Sequence, residues 1–243
     1  MRVCVYGSGS AATPLAYMDA SRELGRAIAL AGHECINGGG KTGCMGAVTE
    51  ACKEHGGRVV GVIHEMWVVD GEESTLLDEL IIVSGEGLAE RKAVLLDNCD
   101  CILVLPGGCG TWDELWQSVA EVGLGFRDLP IVCVNTNGFY TPFYDILDRA
   151  NKECMIYKRP ESILRFEDTP GGALKAAEEM FREVQARKAA TPADAKPSLK
   201  KRAGAETASK NETGVAKQGF LAGMVVGAAV GGVLAMCFLQ SRR

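Results

Sequence analysis

Residues 101–114, reading CILVLPGGCGTWDE, constrain the fold of this chain more than any other stretch. The apolar run 101–105 predicts a buried strand. Pro106, Gly107, Gly108 and Gly110 break it. Thr111 and Glu114 follow three apart, the spacing of a capping box, where a helix would start. Strand, glycine turn and helix N-terminus together make a phosphate cradle. Glycine lets the backbone come close, and free N–H groups at the helix start point at the anion. Such a cradle has no need of a carboxylate, yet Glu114 stands in it. A reaction beside the phosphate would use one.

The rest of the first 184 residues repeats the strand–helix alternation. Residues 2–6, 34–37, 58–63, 79–83, 101–105, 130–134 and 163–166 predict strands, and 64–78 predicts a loop. Residues 15–31, 45–55, 88–98, 112–122, 141–151 and 172–186 predict helices. The pattern implies an α/β fold, a parallel sheet with helices on both faces. Ligands of such sheets lie outside the carboxyl ends of the strands, where the glycine loops 7–9, 38–40 and 107–110 all fall.

Charge divides the chain. Its net −5 combines −12 over residues 1–184, +5 over 185–218 and +2 over the last 25 residues. A domain that acidic speaks against nucleic-acid binding. Residues 185–218, rich in Ala, Lys, Thr, Glu and Pro, predict a disordered linker. Residues 219–239 carry no charge over 21 positions, with glycine at 219, 223, 227 and 231. That predicts a single C-terminal hydrophobic helix that anchors the protein in a membrane, with the domain facing the cytosol. Met1 leads directly into the first strand, so no secretory signal is expected. The ten cysteines show no C-x-x-C pair, which suits a reducing compartment, and no metal site or cofactor is expected.

Two motifs are decoys. Gly7-x-Gly9-x-x-Ala12 fits a dinucleotide fingerprint, but Asn37 stands where that fingerprint wants an acid. Gly40-Lys41-Thr42 lacks the earlier glycine of a P-loop, since Cys35 holds that place. The backbone of 38–40 can still contact a ligand. In the helix 88–98, Lys92 lies four residues from both Leu88 and Leu96, and Arg91 four before Leu95. Both cations therefore project from the apolar stripe and need an anion. Trp112 and Trp116, four apart, predict packing. The acidic loop with Asp70, Glu72 and Glu73 could cover the site.

Glu90-Arg-Lys92 followed by Pro106-Gly-Gly-Cys-Gly-Thr-x-x-Glu114 resembles the LONELY GUY (LOG) family of cytokinin-activating phosphoribohydrolases, long mislabelled lysine decarboxylases. Gly38-Gly-Gly-x-x-Gly43-x-Met45-Gly46 and Gly61-Val-Ile63 match as well, and the likeness spans residues 1–184. It implies a Rossmann-like fold, a homodimer, and hydrolysis of a nucleoside 5′-monophosphate to free base and ribose 5-phosphate. Carried over residue by residue, Arg91 and Glu114 become the catalytic pair. Gly39, Gly40, Lys92, Gly107, Gly108, Cys109, Gly110, Thr111 and Asp113 become substrate contacts. Cys109 stands where an aromatic is common in the family, and Asp113 where it has Glu. The rival expectations are a non-catalytic nucleotide or cofactor carrier on the same fold, a general AMP nucleosidase, and a membrane-recruited scaffold.

Overall fold

The computed structural model describes residues 1–69 and 71–190 of the 243-residue chain. Seven strands form one sheet in the order β4-β3-β2-β1-β5-β6-β7, every neighbouring pair parallel. They are β1 (Arg2–Tyr6), β2 (Glu34–Asn37), β3 (Val59–His64), β4 (Glu79–Val83), β5 (Cys101–Val104), β6 (Ile131–Val134) and β7 (Arg165–Glu167). The inner strands β3, β5 and β6 are buried at every residue. That is why they read as unbroken apolar runs and not as alternating ones.

Helices cover both faces. On one lie α1 (Leu15–Leu30), α2 (Gly43–Glu54) and α7 (Pro170–Ala190), whose Leu24, Ile28, Val48, Ala173 and Ala177 pack on Val3, Val5 and Leu103. On the other lie α4 (Ala89–Asp97), α5 (Cys109–Leu124) and α6 (Thr141–Lys152), whose Leu95, Leu115, Val119 and Leu147 pack on Cys4, Tyr6, Ile102 and Val104. Gly25 lets α1 and α2 touch, since a Cβ there would run into the carbonyl of Val48. Seven strands and six helices match the expected elements to within three residues at most ends.

Four local expectations are corrected. Residues 64–78 are not all loop: α3 (Glu65–Val69) occupies the start. Helix α5 begins at Cys109 with Gly108 as its N-cap, so Thr111 and Glu114 form no capping box. Strand β7 is shifted two residues from the run 163–166, because Ile163 and Leu164 are spent as core residues before it. Helix α7 runs through 185–190, six residues that composition had assigned to the linker.

The expected membrane placement is corrected too. Among the described residues no helix is long and apolar enough to cross a membrane. The segment 219–239 lies outside the described residues, as do 191–218. The transmembrane reading and the localisation built on it therefore do not stand.

Candidate active site

The order β2-β1-β5 at the centre of the sheet places the three glycine loops side by side at its carboxyl edge. Strand order reverses between β1 and β5, the switch point where such sheets bind ligands. Backbone bonds stitch the loops together. Ser8 N–H donates to the Pro106 carbonyl at 3.1 Å, and Met45 N–H to the Ser8 carbonyl at 3.3 Å. The Thr42 hydroxyl donates to the Gly9 carbonyl at 2.5 Å. Lys41 reaches the Gly71 carbonyl, also at 2.5 Å, so neither residue of the P-loop decoy is aimed at a phosphate. Asn37 is fully buried; its amide donates to Thr49 Oγ1 at 3.0 Å and its carbonyl accepts from Gly39 N–H at 2.8 Å. It shapes the loop and leaves no acid for a ribose.

Helix α5 carries no side-chain cap, and its first turn opens with Trp112 N–H donating to the Gly108 carbonyl at 3.0 Å. The N–H groups of Cys109, Gly110 and Thr111 precede that bond and point out of the helix end, the arrangement that holds a phosphate. A Cβ at Gly108 or Gly110 would meet nothing within 4 Å, so the protein's own packing does not require glycine there. Gly107 differs, because a Cβ there would overlap the buried Thr111 hydroxyl. Beside it, a cleft of about 210 Å³ is lined by Ser8, Thr13, Tyr17, Pro106, Gly107 and Phe139 among others.

Next to this helix end lies a buried ion pair. Arg91 of α4 donates through Nη1 to Glu114 Oε1 of α5 at 2.9 Å, the two side chains being 7% and 12% exposed. Arg91 Nε donates to the Val62 carbonyl, again at 2.9 Å. Its guanidinium carbon lies 5.4 Å from the centroid of the Trp67 ring. The same group presses on the β2 loop, where a Cβ at Gly38 would overlap its Nη2. Burial pushes the Glu114 carboxyl above its ordinary value of 4.5, and the charge and hydrogen bond of Arg91 pull it part of the way back. Beside it, one residue along each helix, Lys92 Nζ pairs with Asp113 Oδ2 at 2.7 Å, with Asp113 half exposed.

The predicted site residues are thus drawn to one place. Arg91, Lys92, Asp113 and Glu114 form two parallel ion pairs between α4 and α5. Gly107, Gly108, Cys109, Gly110 and Thr111 form the α5 entry. Gly39 and Gly40 sit under the acidic loop: the Gly39 carbonyl accepts from Ser74 N–H at 2.8 Å, and Gly40 bridges Glu73. That loop does cover the glycines; Asp70 lies outside the described residues. Trp116 stacks on Phe143 at 5.3 Å and Trp112 lies tilted at 6.0 Å from it, so both tryptophans pack, as predicted. Among the described residues no cluster could hold a metal ion. The nine cysteines described are free thiols, seven of them buried; burial raises Cys52 to about 11. The sequence points to the loop 38–40 as a whole but not to the contact of Gly38 with Arg91, and it gives no signal for Trp67, which lies on the five-residue α3.

Three comparisons bear on this geometry. The family described as "Possible lysine decarboxylase" matches residues 45–177. The probable cytokinin riboside 5′-monophosphate phosphoribohydrolase LOGL2 of Oryza sativa subsp. japonica is 32% identical over 73% of this chain and 72% of its own length. The cytokinin riboside 5′-monophosphate phosphoribohydrolase LOG of the same species is 34% identical over 67% of this chain and 66% of its own. Among solved structures, a molybdenum cofactor carrier protein from Chlamydomonas reinhardtii superposes with a TM-score of 0.57. At 22% identity, over 74% of this chain and 98% of that one, this likeness speaks to the fold alone.

Proposed function

Because this chain belongs to the family described as possible lysine decarboxylase, whose curated relatives are LOG phosphoribohydrolases, we infer that it hydrolyses the N-glycosidic bond of a purine nucleoside 5′-monophosphate. The products are the free base and ribose 5-phosphate, and the preferred base is a cytokinin-type, N6-modified adenine. The observation that carries the chemistry is a buried carboxylate, Glu114, paired with Arg91 in the second turn of a helix whose N-terminus has no side-chain cap.

In this reading the 5′-phosphate sits on the N–H groups of Cys109, Gly110 and Thr111, and Gly39 and Gly40 admit the ribose. Phosphate binding then orients the sugar, so that part of the barrier is met by positioning. Positive charge develops on the ribose as the bond from C1′ to the base nitrogen lengthens, as in other glycosyl hydrolysis. The Glu114 carboxylate stabilises that charge and takes the proton of the attacking water. The water oxygen bonds to C1′, the electron pair of the broken bond leaves with the base, and the proton taken up by Glu114 passes to that base, which returns Glu114 to its carboxylate form. Arg91 favours the ionised form of Glu114 and offsets part of the burial that favours its proton. Lys92, balanced by Asp113, adds positive potential at the rim for the incoming phosphate. A homodimer belongs to the same proposal, with the exposed Leu124, Phe126, Tyr144 and Ile146 as apolar area for a second copy.

A panel of nucleoside 5′-monophosphates, scored for release of ribose 5-phosphate, tests the reading. N6-substituted adenosine monophosphates should be turned over fastest. Equal turnover of AMP makes the protein a general nucleosidase. Retention of an unaltered nucleotide with no ribose 5-phosphate formed makes it a carrier and overturns the proposal.

A further inference from the structure

Arg91 is held on three sides, by Val62, by Glu114 and by Trp67, and the last of these belongs to an element with its own anchor. Helix α3 is a five-residue turn at the end of β3. Its N-cap is His64, a buried residue whose two ring nitrogens are both engaged. Met66 N–H donates to His64 Nδ1 at 3.3 Å, so Nδ1 is the unprotonated nitrogen. Nε2 then carries the hydrogen and donates it to the Gly85 carbonyl at 3.0 Å. The imidazole thus pins α3 between the end of β3 and the loop after β4. The Trp67 indole stands edge-on to that imidazole, with centroids 6.2 Å apart and planes at 78°. The same indole meets Arg91, whose guanidinium carbon lies over the ring 5.4 Å from its centroid.

We propose that Trp67 is a positioning residue for Arg91: its ring, seated by His64, holds the guanidinium in the plane that bonds both Val62 and Glu114. The inference rests on the reading of Glu114 as the carboxylate that the reaction uses. A cation over an indole face is attracted by the ring quadrupole, and more so when water is excluded. Val62 and Glu114 take Nε and Nη1 at the edge of the guanidinium and Gly38 lies against Nη2, while Trp67 supplies its aromatic contact. The charged and titratable groups facing Glu114 are Arg91 and Lys92 of α4, Asp113 of its own helix, and Tyr6 and Cys4 of β1 below. Among them only Arg91 touches Trp67, so a change at Trp67 reaches Glu114 through Arg91.

The experiment has two arms on the full chain. In the first, the Arg91 Nε–H is followed by NMR, with Arg91→Lys to identify its resonance. Bonded to Val62 under the indole, this proton should exchange slowly in the wild type and in Trp67→Phe. In Trp67→Ala and His64→Ala it should exchange at least ten-fold faster. In the second arm, Trp67→Ala should lower kcat about ten-fold with KM within three-fold, and Trp67→Phe should restore kcat to within two-fold. Should Ala loosen the fold, Trp67→Leu decides, since it keeps apolar bulk and has no ring face; it should behave as Ala does. Unchanged proton exchange in Trp67→Ala, or full kcat in Trp67→Leu, overturns the proposal. Failure of Glu114→Gln to alter turnover would overturn the functional reading instead, and the exchange arm would still report on the Trp67–Arg91 contact.

Discussion

At the scale of single residues the proposed chemistry turns on a carboxylate and a guanidinium, each nearly closed off from water. Taking both out of water is expensive, and their attraction repays it only with good geometry and further hydrogen bonds. Arg91 has these, from Val62 as well as Glu114. Such a pair is an uneconomical way to gain stability, which favours a catalytic reason for it. Glu114→Gln keeps the shape and an acceptor for Arg91 but removes the charge. It should fold with a melting temperature within a few degrees of the wild type and lose about 10²–10³ in kcat, the scale of a general base. Arg91→Lys keeps the charge, yet one ammonium cannot reproduce a fork that reaches both Val62 and Glu114. It should cost at least about ten-fold in kcat. The pH profile follows from the same pair. Burial is the larger influence and raises Glu114, and the reaction needs the anion. Activity should therefore fall as pH drops, with the acid limb of kcat/KM above the ordinary value of 4.5. A limb below that value would show that the Arg91 pair outweighs burial.

Elements decide which residues meet. The alternation of apolar runs and amphipathic stretches is enough to read seven strands and six helices, because parallel strands buried on both faces leave continuous apolar signatures. Arg91 and Lys92 were legible as site residues for a related reason: cations on an apolar stripe have to face something charged. The legible part ended where tertiary contacts override local pattern. Thr111 and Glu114 have capping-box spacing, yet the helix starts three residues before the expected 112, at Cys109, because Thr111 tucks its hydroxyl under Gly107. Glu114 is thereby freed from the helix end and turned toward Arg91. Helix α3 left no periodic signature, being only five residues long, so Trp67 was invisible. The two kinds of glycine in the α5 entry can be separated by experiment. Gly107→Ala meets Thr111 and should destabilise the fold by about 1–3 kcal/mol through overpacking, read as a lowered denaturation midpoint. Gly110→Ala meets nothing of the protein. It should leave stability within about 0.5 kcal/mol, as for a surface change, while KM for a nucleoside 5′-monophosphate rises, since only a ligand fills that space. A large loss of stability in Gly110→Ala would mean that the helix end serves the fold and not a phosphate.

At the scale of the described residues, α7 is the last helix to cover one face of the sheet, and its last residue, Ala190, is a place to test a truncation. Composition placed the change of character near residue 185, but α7 continues to Ala190, since Ala, Arg and Lys suit a helix as well as a linker. Within α7, Ala173, Ala177, Met180 and Val184 repeat at helical spacing and are all buried. Met180 packs in the same core as Val3 and Val5 of β1, beneath the loop that meets Pro106. Past Val184 the helix contributes at its surface: Arg187 pairs with Asp128 at 3.0 Å, both half exposed, an interaction of about 0–1 kcal/mol. We therefore expect a chain ending at Ala190 to keep the melting temperature of the full protein within about 2 °C and to keep its turnover, because all the buried positions of α7 remain. A chain ending at Glu179 removes Met180 and Val184. Two buried side chains at about 1.5–3 kcal/mol each amount to a large share of a typical domain's stability. Its cooperative unfolding transition should weaken or vanish, and with it the site on the far side of the sheet. Thermal denaturation of the two truncations beside the full chain checks this. If the 190-residue form melts well below the full protein, residues past Ala190 contribute to the fold and the domain boundary argued here is wrong.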